Sequence, residues 1–122
     1  MLIIRCISAS YWLLLTTLLL LPDPLGMLGL RKAPLVGSGA CIHFIFFALL
    51  AALVLASRSG LPRVALASLL IGYATVTELL QSSVGRHTSA TDLLANLLGL
   101  AAGTWIWSVL EKRATRTPDK RT

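Results

Sequence analysis

Acidic residues are scarce in this sequence. Asp and Glu number five against eleven Lys and Arg, and only 13% of the 122 residues carry charge. A small soluble domain needs a charged surface, so the composition speaks against one. Histidines and cysteines number two each, and neither type is paired at metal-ligand spacing. Cys6 and Cys41 are expected near opposite ends of neighbouring apolar segments, which argues against a disulfide. No P-loop, nucleophile elbow or dinucleotide fingerprint occurs, and no cofactor is expected. The net charge of +6 sits beside apolar runs and is not interleaved with aromatics. That pattern suits anionic membrane lipids as partners and argues against nucleic acid.

Apolar length is what the chain has in abundance, with 56% of its residues hydrophobic. A membrane-crossing helix needs about 20 mostly apolar residues, and four segments approach that length. The first, CISASYWLLLTTLLLL, extends back to Leu2 and stops at PDP, because proline lacks an amide proton and restricts the residue before it. The following LPDPLG offers no small-residue cleavage site, so an uncleaved helix is expected rather than a signal peptide. The second, ACIHFIFFALLAALVLA, ends at SRSG, where Gly60 is the expected left-handed cap. GSGAC at its start lacks the leading Leu of a lipoprotein box. The third begins near Pro62, a good first-turn residue, and runs through VALASLLIGYATVTELLQSS. The fourth is DLLANLLGLAAGTWIWSVL. The expected architecture is all-α: an integral membrane bundle of four transmembrane helices over residues 1–111, then a basic tail at 112–122.

Basic residues predict the orientation. The amino terminus, second loop and tail carry Arg5, Arg58, Arg63, Lys112, Arg113, Arg116, Lys120 and Arg121, eight in all. The first and third loops carry three, Arg31, Lys32 and Arg86. The positive-inside rule places both termini in the cytoplasm, with Trp105 and Trp107 near the inner interface.

Within this apolar frame, TELLQSSVGRHTSATDLLANLLG is conspicuously polar. Glu78 and Gln81, three residues apart, share one helix face. They are either a hydrogen-bonding pair between helices or a site for a ligand or proton. Arg86 is either solvated in its loop, paired with Glu78 or Asp92, or offering its fork to a phosphate or carboxylate. SATD, ending at Asp92, resembles a capping box and puts an acid in the positive first turn of the fourth helix. Asn96, Gly99 and Gly103 share a face with Asp92, so Asn96 is expected to hydrogen-bond across a close helix contact. His43 opens the second helix as an interfacial hydrogen-bonding residue, and His87 is expected to be exposed. A metal site from His43, Glu78 and Asp92 is not expected. All these residues are predicted to gather at the outward-facing end of the bundle.

The residues so assembled resemble the VanZ-like family of small membrane proteins. The resemblance rests on Glu78 and Gln81 as E-x-x-Q, and on Gly85, Arg86, Ser89, Asp92, Ala95, Asn96 and Gly99. His43 and Phe44 match the histidine-aromatic pair that opens the family's preceding helix. One departure is that Gly39 and Ala40 stand where members often carry an Asp-Lys pair. The resemblance implies a bacterial cytoplasmic (inner) membrane protein of the cell envelope, and its namesake is associated with teicoplanin resistance. Three functions stay open. The first is an accessory protein whose pocket of His43, Glu78, Gln81, Arg86, Asp92 and Asn96 binds a lipid-linked envelope precursor, another amphiphile or a glycopeptide. The second is an enzyme on a lipid-linked phosphate substrate, with Glu78 as general acid or base. The third is a non-catalytic scaffold.

Overall fold

Inside a bilayer there is no water for backbone amides and carbonyls, so an apolar segment must satisfy them within itself, as a helix. The computed structural model, which describes residues 1–22, 27, 29, 39–85 and 89–116, contains four such helices. They are α1 (Leu2–Leu20), α2 (Gly39–Ala56), α3 (Arg63–Ser83) and α4 (Ala90–Arg116). Each is long and apolar enough to cross a membrane, and no strand occurs among the described residues. Hydroxyls within the spans bond back one turn: Thr16 to the Trp12 carbonyl, Thr75 to Ile71, Thr104 to Leu100. Polar side chains are thereby satisfied without leaving the helix.

The helix ends follow local chemistry. Leu21 is extended (φ −70°, ψ 136°), as the residue before Pro22 must be. Pro62, also extended, stands immediately before α3. At the end of α2 the expectation for Gly60 needs revision. Gly60 does take a positive φ of 81°, but Arg58 is left-handed first, at φ 45°, two residues beyond Ala56. A neighbour stabilises this turn. Arg5 on α1 donates from Nε to the Ser57 carbonyl (3.2 Å) and from Nη2 to the Arg58 carbonyl (3.1 Å). A guanidinium thus caps the negative end of α2.

The tightest packing joins α2 and α4, which run parallel. A Cβ placed on Gly99 would collide with the Phe44 carbonyl oxygen, and one on Gly103 with the Ala48 carbonyl oxygen. The absence of side chains there is what lets the two backbones touch. Helix α2 presents His43, Phe47, Leu50, Ala51 and Val54 as one buried stripe. Leu15 and Leu19 of α1, Leu66, Leu70 and Ala74 of α3, and Leu100 of α4 complete the core. Tyr73 ties α1 and α3 together. Its ring meets Trp12 edge-on at 5.3 Å, and its hydroxyl lies 2.9 Å from that of Thr16. The outer faces carry exposed Ile3, Leu13, Ile45, Val64, Val76, Leu98 and Ile106. So broad an apolar surface suits lipid and would aggregate in water.

This packing separates two ends. Arg63 pairs with Glu111 at 2.6 Å, at the same end as Arg5 and Arg58. Helix α4 continues past Leu110 to Arg116, so helix extends into the segment read from sequence as the tail. The ion pair and the Thr115 hydroxyl, bonded to the Glu111 and Lys112 carbonyls, support that extra turn. At 1.5 Å per residue α4 is about 40 Å long, beyond the roughly 30 Å hydrocarbon core. Cys6 and Cys41 are not joined in a disulfide. The close α2–α4 contact predicts that Gly103→Ala costs about 1–3 kcal/mol through forced backbone displacement. Gly72→Ala, where an added Cβ meets nothing within 4 Å, should leave stability unchanged or raised. Thermal unfolding of both variants in detergent checks this.

Candidate functional site

The end opposite Arg5, Arg58 and Arg63 holds His43, Glu78, Gln81, Asp92 and Asn96. His43 lies in the first turns of α2 and Asn96 in the second turn of α4, one turn before Gly99. Because the glycines hold these helices together, His43 Nδ1 reaches Asn96 Oδ1 at 2.9 Å although 53 residues separate them. An amide oxygen only accepts, so in this orientation Nδ1 carries the proton and donates it. Both residues are buried, His43 to 5% and Asn96 to 1% exposure.

Helix α3 brings the second pair. Leu70, Ala74, Thr77, Glu78 and Gln81 form its buried face. Sequence spacing had pointed to this shared face for Glu78 and Gln81. Glu78 Oε1 accepts the backbone N–H of Ser89 at 2.8 Å. Ser89 immediately precedes α4, and the amides of Asp92 and Leu93 both donate to its carbonyl. A carboxylate from α3 therefore sits at the positive end of α4. This revises the capping box: in that motif the fourth residue's side chain would take the Ser89 N–H, and Glu78 occupies that position instead. Asp92 remains in the first turn of α4, half-buried, near the start of α2. Its Oδ1 lies 3.7 Å from the place a Cβ on Gly39 would occupy. An acidic residue in place of Gly39 would thus face another carboxylate.

What is left over matters most. Among the described residues Glu78 Oε2, Gln81 Nε2 and Asn96 Nδ2 are buried and find no hydrogen-bond partner. Each such atom costs roughly 1–3 kcal/mol, and native proteins carry few of them without a water or ligand to account for them. These atoms are one carboxylate acceptor and two amide donors. Among the described residues no three His, Cys, Asp or Glu side chains group to hold a metal ion. Arg86 and His87 lie outside the described residues. Sequence reasoning missed the Ser89 amide as the partner of Glu78, and Arg5 as the cap of α2; both contacts join separate helices and leave no spacing signature.

A family model described as VanZ/LLP1 matches residues 11–111. The chain belongs to the VanZ/LLP1 family. The match runs from within α1 into the last turns of α4 and takes in His43, Glu78, Gln81, Asp92 and Asn96. With its four apolar helices, this VanZ/LLP1 member is a multi-pass membrane protein. No curated protein and no solved structure matched it.

The His43–Asn96 bond makes a further prediction for this VanZ/LLP1 chain. Asn96→Leu leaves the His43 ring N–H buried and unpaired, and should lower stability by about 1–3 kcal/mol. Adding His43→Leu should recover part of that loss, since removing both partners is close to neutral. Unfolding of the two single variants and the double variant in one detergent gives the coupling.

Proposed function

We propose that the protein is a bacterial inner-membrane component of the cell envelope, with both termini in the cytoplasm. Its polar end faces outward and binds a lipid-linked or amphiphilic envelope molecule. The observation that carries this reading is that, among the described residues, buried atoms of Glu78, Gln81 and Asn96 find no partner at one end of a largely apolar bundle. A scaffold built only for packing gains nothing from orphaned polar atoms, whereas a binding site uses them when its ligand arrives. The orientation is supported by Arg5, Arg58, Arg63, Lys112, Arg113 and Arg116, which belong to the other end. In this reading Glu78, Gln81 and Asn96 hydrogen-bond the ligand's polar group, and His43 orients Asn96. Asp92 flanks the group, and Arg86 holds an anionic headgroup. A changed supply of that molecule at the outer leaflet is the proposed route to altered glycopeptide, including teicoplanin, susceptibility.

A second reading, an enzyme on a lipid-linked phosphate substrate, draws on Glu78 Oε2, an unpartnered carboxylate oxygen placed for proton transfer. No activated nucleophile accompanies it among the described residues, so binding is the stronger conclusion.

Mass spectrometry of lipids retained by the purified protein tests the proposal. The parent should retain a species enriched over bulk lipid. Glu78→Gln, Gln81→Leu and Arg86→Ala should each reduce it about ten-fold, the weight of one lost polar contact, while each variant still folds and melts cooperatively. Retention of bulk lipid alone, equally in parent and variants, rejects the binding site. Turnover of a lipid-phosphate substrate that Glu78→Gln abolishes would favour the enzyme.

A further inference from the structure

The basic end holds a feature that the polar site does not use. Helices α1 and α3 meet at Trp12, Thr16 and Tyr73. Nearer the basic end, a groove of about 250 Å³ lies between them. Its floor includes Val54 and Ser57 at the end of α2, and its walls include Trp12, Leu66 and Leu69. This volume falls below the roughly 300–1,000 Å³ of a drug-sized ligand site, and suits one flexible chain.

The surface of the groove is apolar, with Trp12, Leu66 and Leu69 among its walls, and the charged Arg5 stands at its edge by the helix ends, beside Ser8 and Ser57. Ser8 is buried on α1, one turn from Arg5. Arg58 stands between the two lining serines Ser57 and Ser59, left-handed and exposed. Arg5 uses Nε and Nη2 on the carbonyls of Ser57 and Arg58, two of the five N–H donors of a guanidinium. Among the described residues the one acidic side chain of this end is Glu111, and Arg63 already pairs with it. Arg5 and Arg58 therefore leave positive charge without a matching anion at the mouth of an apolar slot. An apolar chain joined to a negative headgroup is the complement of that arrangement.

We infer that this groove binds one acyl chain of an anionic phospholipid, with the lipid phosphate held at Arg5 and Arg58. The bound lipid fastens α1 to α3 where the protein alone does not fill the space between them. It also sits beside the turn that Arg5 caps, so the same guanidinium serves the helix end and the headgroup. The site is separate from the polar end and stands whether or not that end binds an envelope molecule.

Trp12 lines the groove and reports on its content. Full-length protein carrying Trp105→Phe and Trp107→Phe retains Trp12 as its remaining tryptophan. It is reconstituted in phosphatidylcholine bilayers containing a minor fraction of phosphatidylglycerol with brominated chains, or the same fraction of brominated phosphatidylcholine. Trp12 fluorescence should be quenched at a roughly five-fold lower fraction of the anionic lipid, the weight of about one basic residue near an anionic headgroup. Arg58→Asn removes one of the two charges while keeping a residue that tolerates the left-handed turn, and should reduce the preference. Ala9→Phe fills the groove from an exposed position of α1 and should weaken quenching by the anionic lipid. Ser59→Phe fills it from the loop if α1 does not tolerate the ring. Equal quenching by the two lipids, or a preference undiminished by the charge or the filling substitution, overturns the inference.

Discussion

The contact between the bare face of α4 and the backbone of α2 underlies the rest of the structure. Gly99 and Gly103 meet the carbonyls of Phe44 and Ala48 where no side chain could fit. In lipid the hydrophobic effect does not press helices together, so close packing and interhelical hydrogen bonds must do so. The glycines supply the packing. One turn further along the same faces, His43 and Asn96 supply the bond. The same approach fixes where α4 begins, and so where Glu78 finds the Ser89 amide.

Charges then sort along the bundle by the polarity of helix ends. A carboxylate from α3 lies against the positive start of α4, and a guanidinium from α1 lies against the negative end of α2. Each satisfies backbone groups that a helix terminus leaves open. The two devices occupy opposite ends, so one end becomes a polar, partly unsatisfied cluster and the other a basic rim. Between them stands a core of Leu15, Phe47, Leu50, Ala51 and Leu70, all buried. Among the described residues the buried polar atoms without a partner, on Glu78, Gln81 and Asn96, belong to one end, and the middle is packed by apolar side chains.

Much of this could be read from the chain alone, for physical reasons. Hydrocarbon tolerates few backbone arrangements, so four long apolar runs led directly to four helices. The spacing of Asn96, Gly99 and Gly103 put them on one face because helical period is fixed, and the VanZ-like pattern of residues agreed with the family match. Contacts between helices were another matter. Whether Ser89 is served by Asp92 beside it or by Glu78 on α3 depends on tertiary placement, which local spacing does not contain. Arg58 takes the left-handed turn ahead of Gly60 because Arg5, distant in sequence, binds the carbonyls there. Helix α4 outlasts its apolar stretch, and there Glu111 pairs with Arg63 of α3, a contact between helices that local spacing does not show.

The central claim is that the Glu78 end and the Arg58 end face opposite sides of a membrane, the former outward. Labelling of single cysteines in intact cells by a membrane-impermeant thiol reagent tests it most directly. With Cys6 and Cys41 replaced by serine, Ser83→Cys and Ser89→Cys should react from outside. Ser59→Cys and Lys112→Cys should react only after permeabilisation. Reaction of Ser83→Cys and Ser59→Cys from the same side, or of Ser59→Cys alone from outside, would contradict the account.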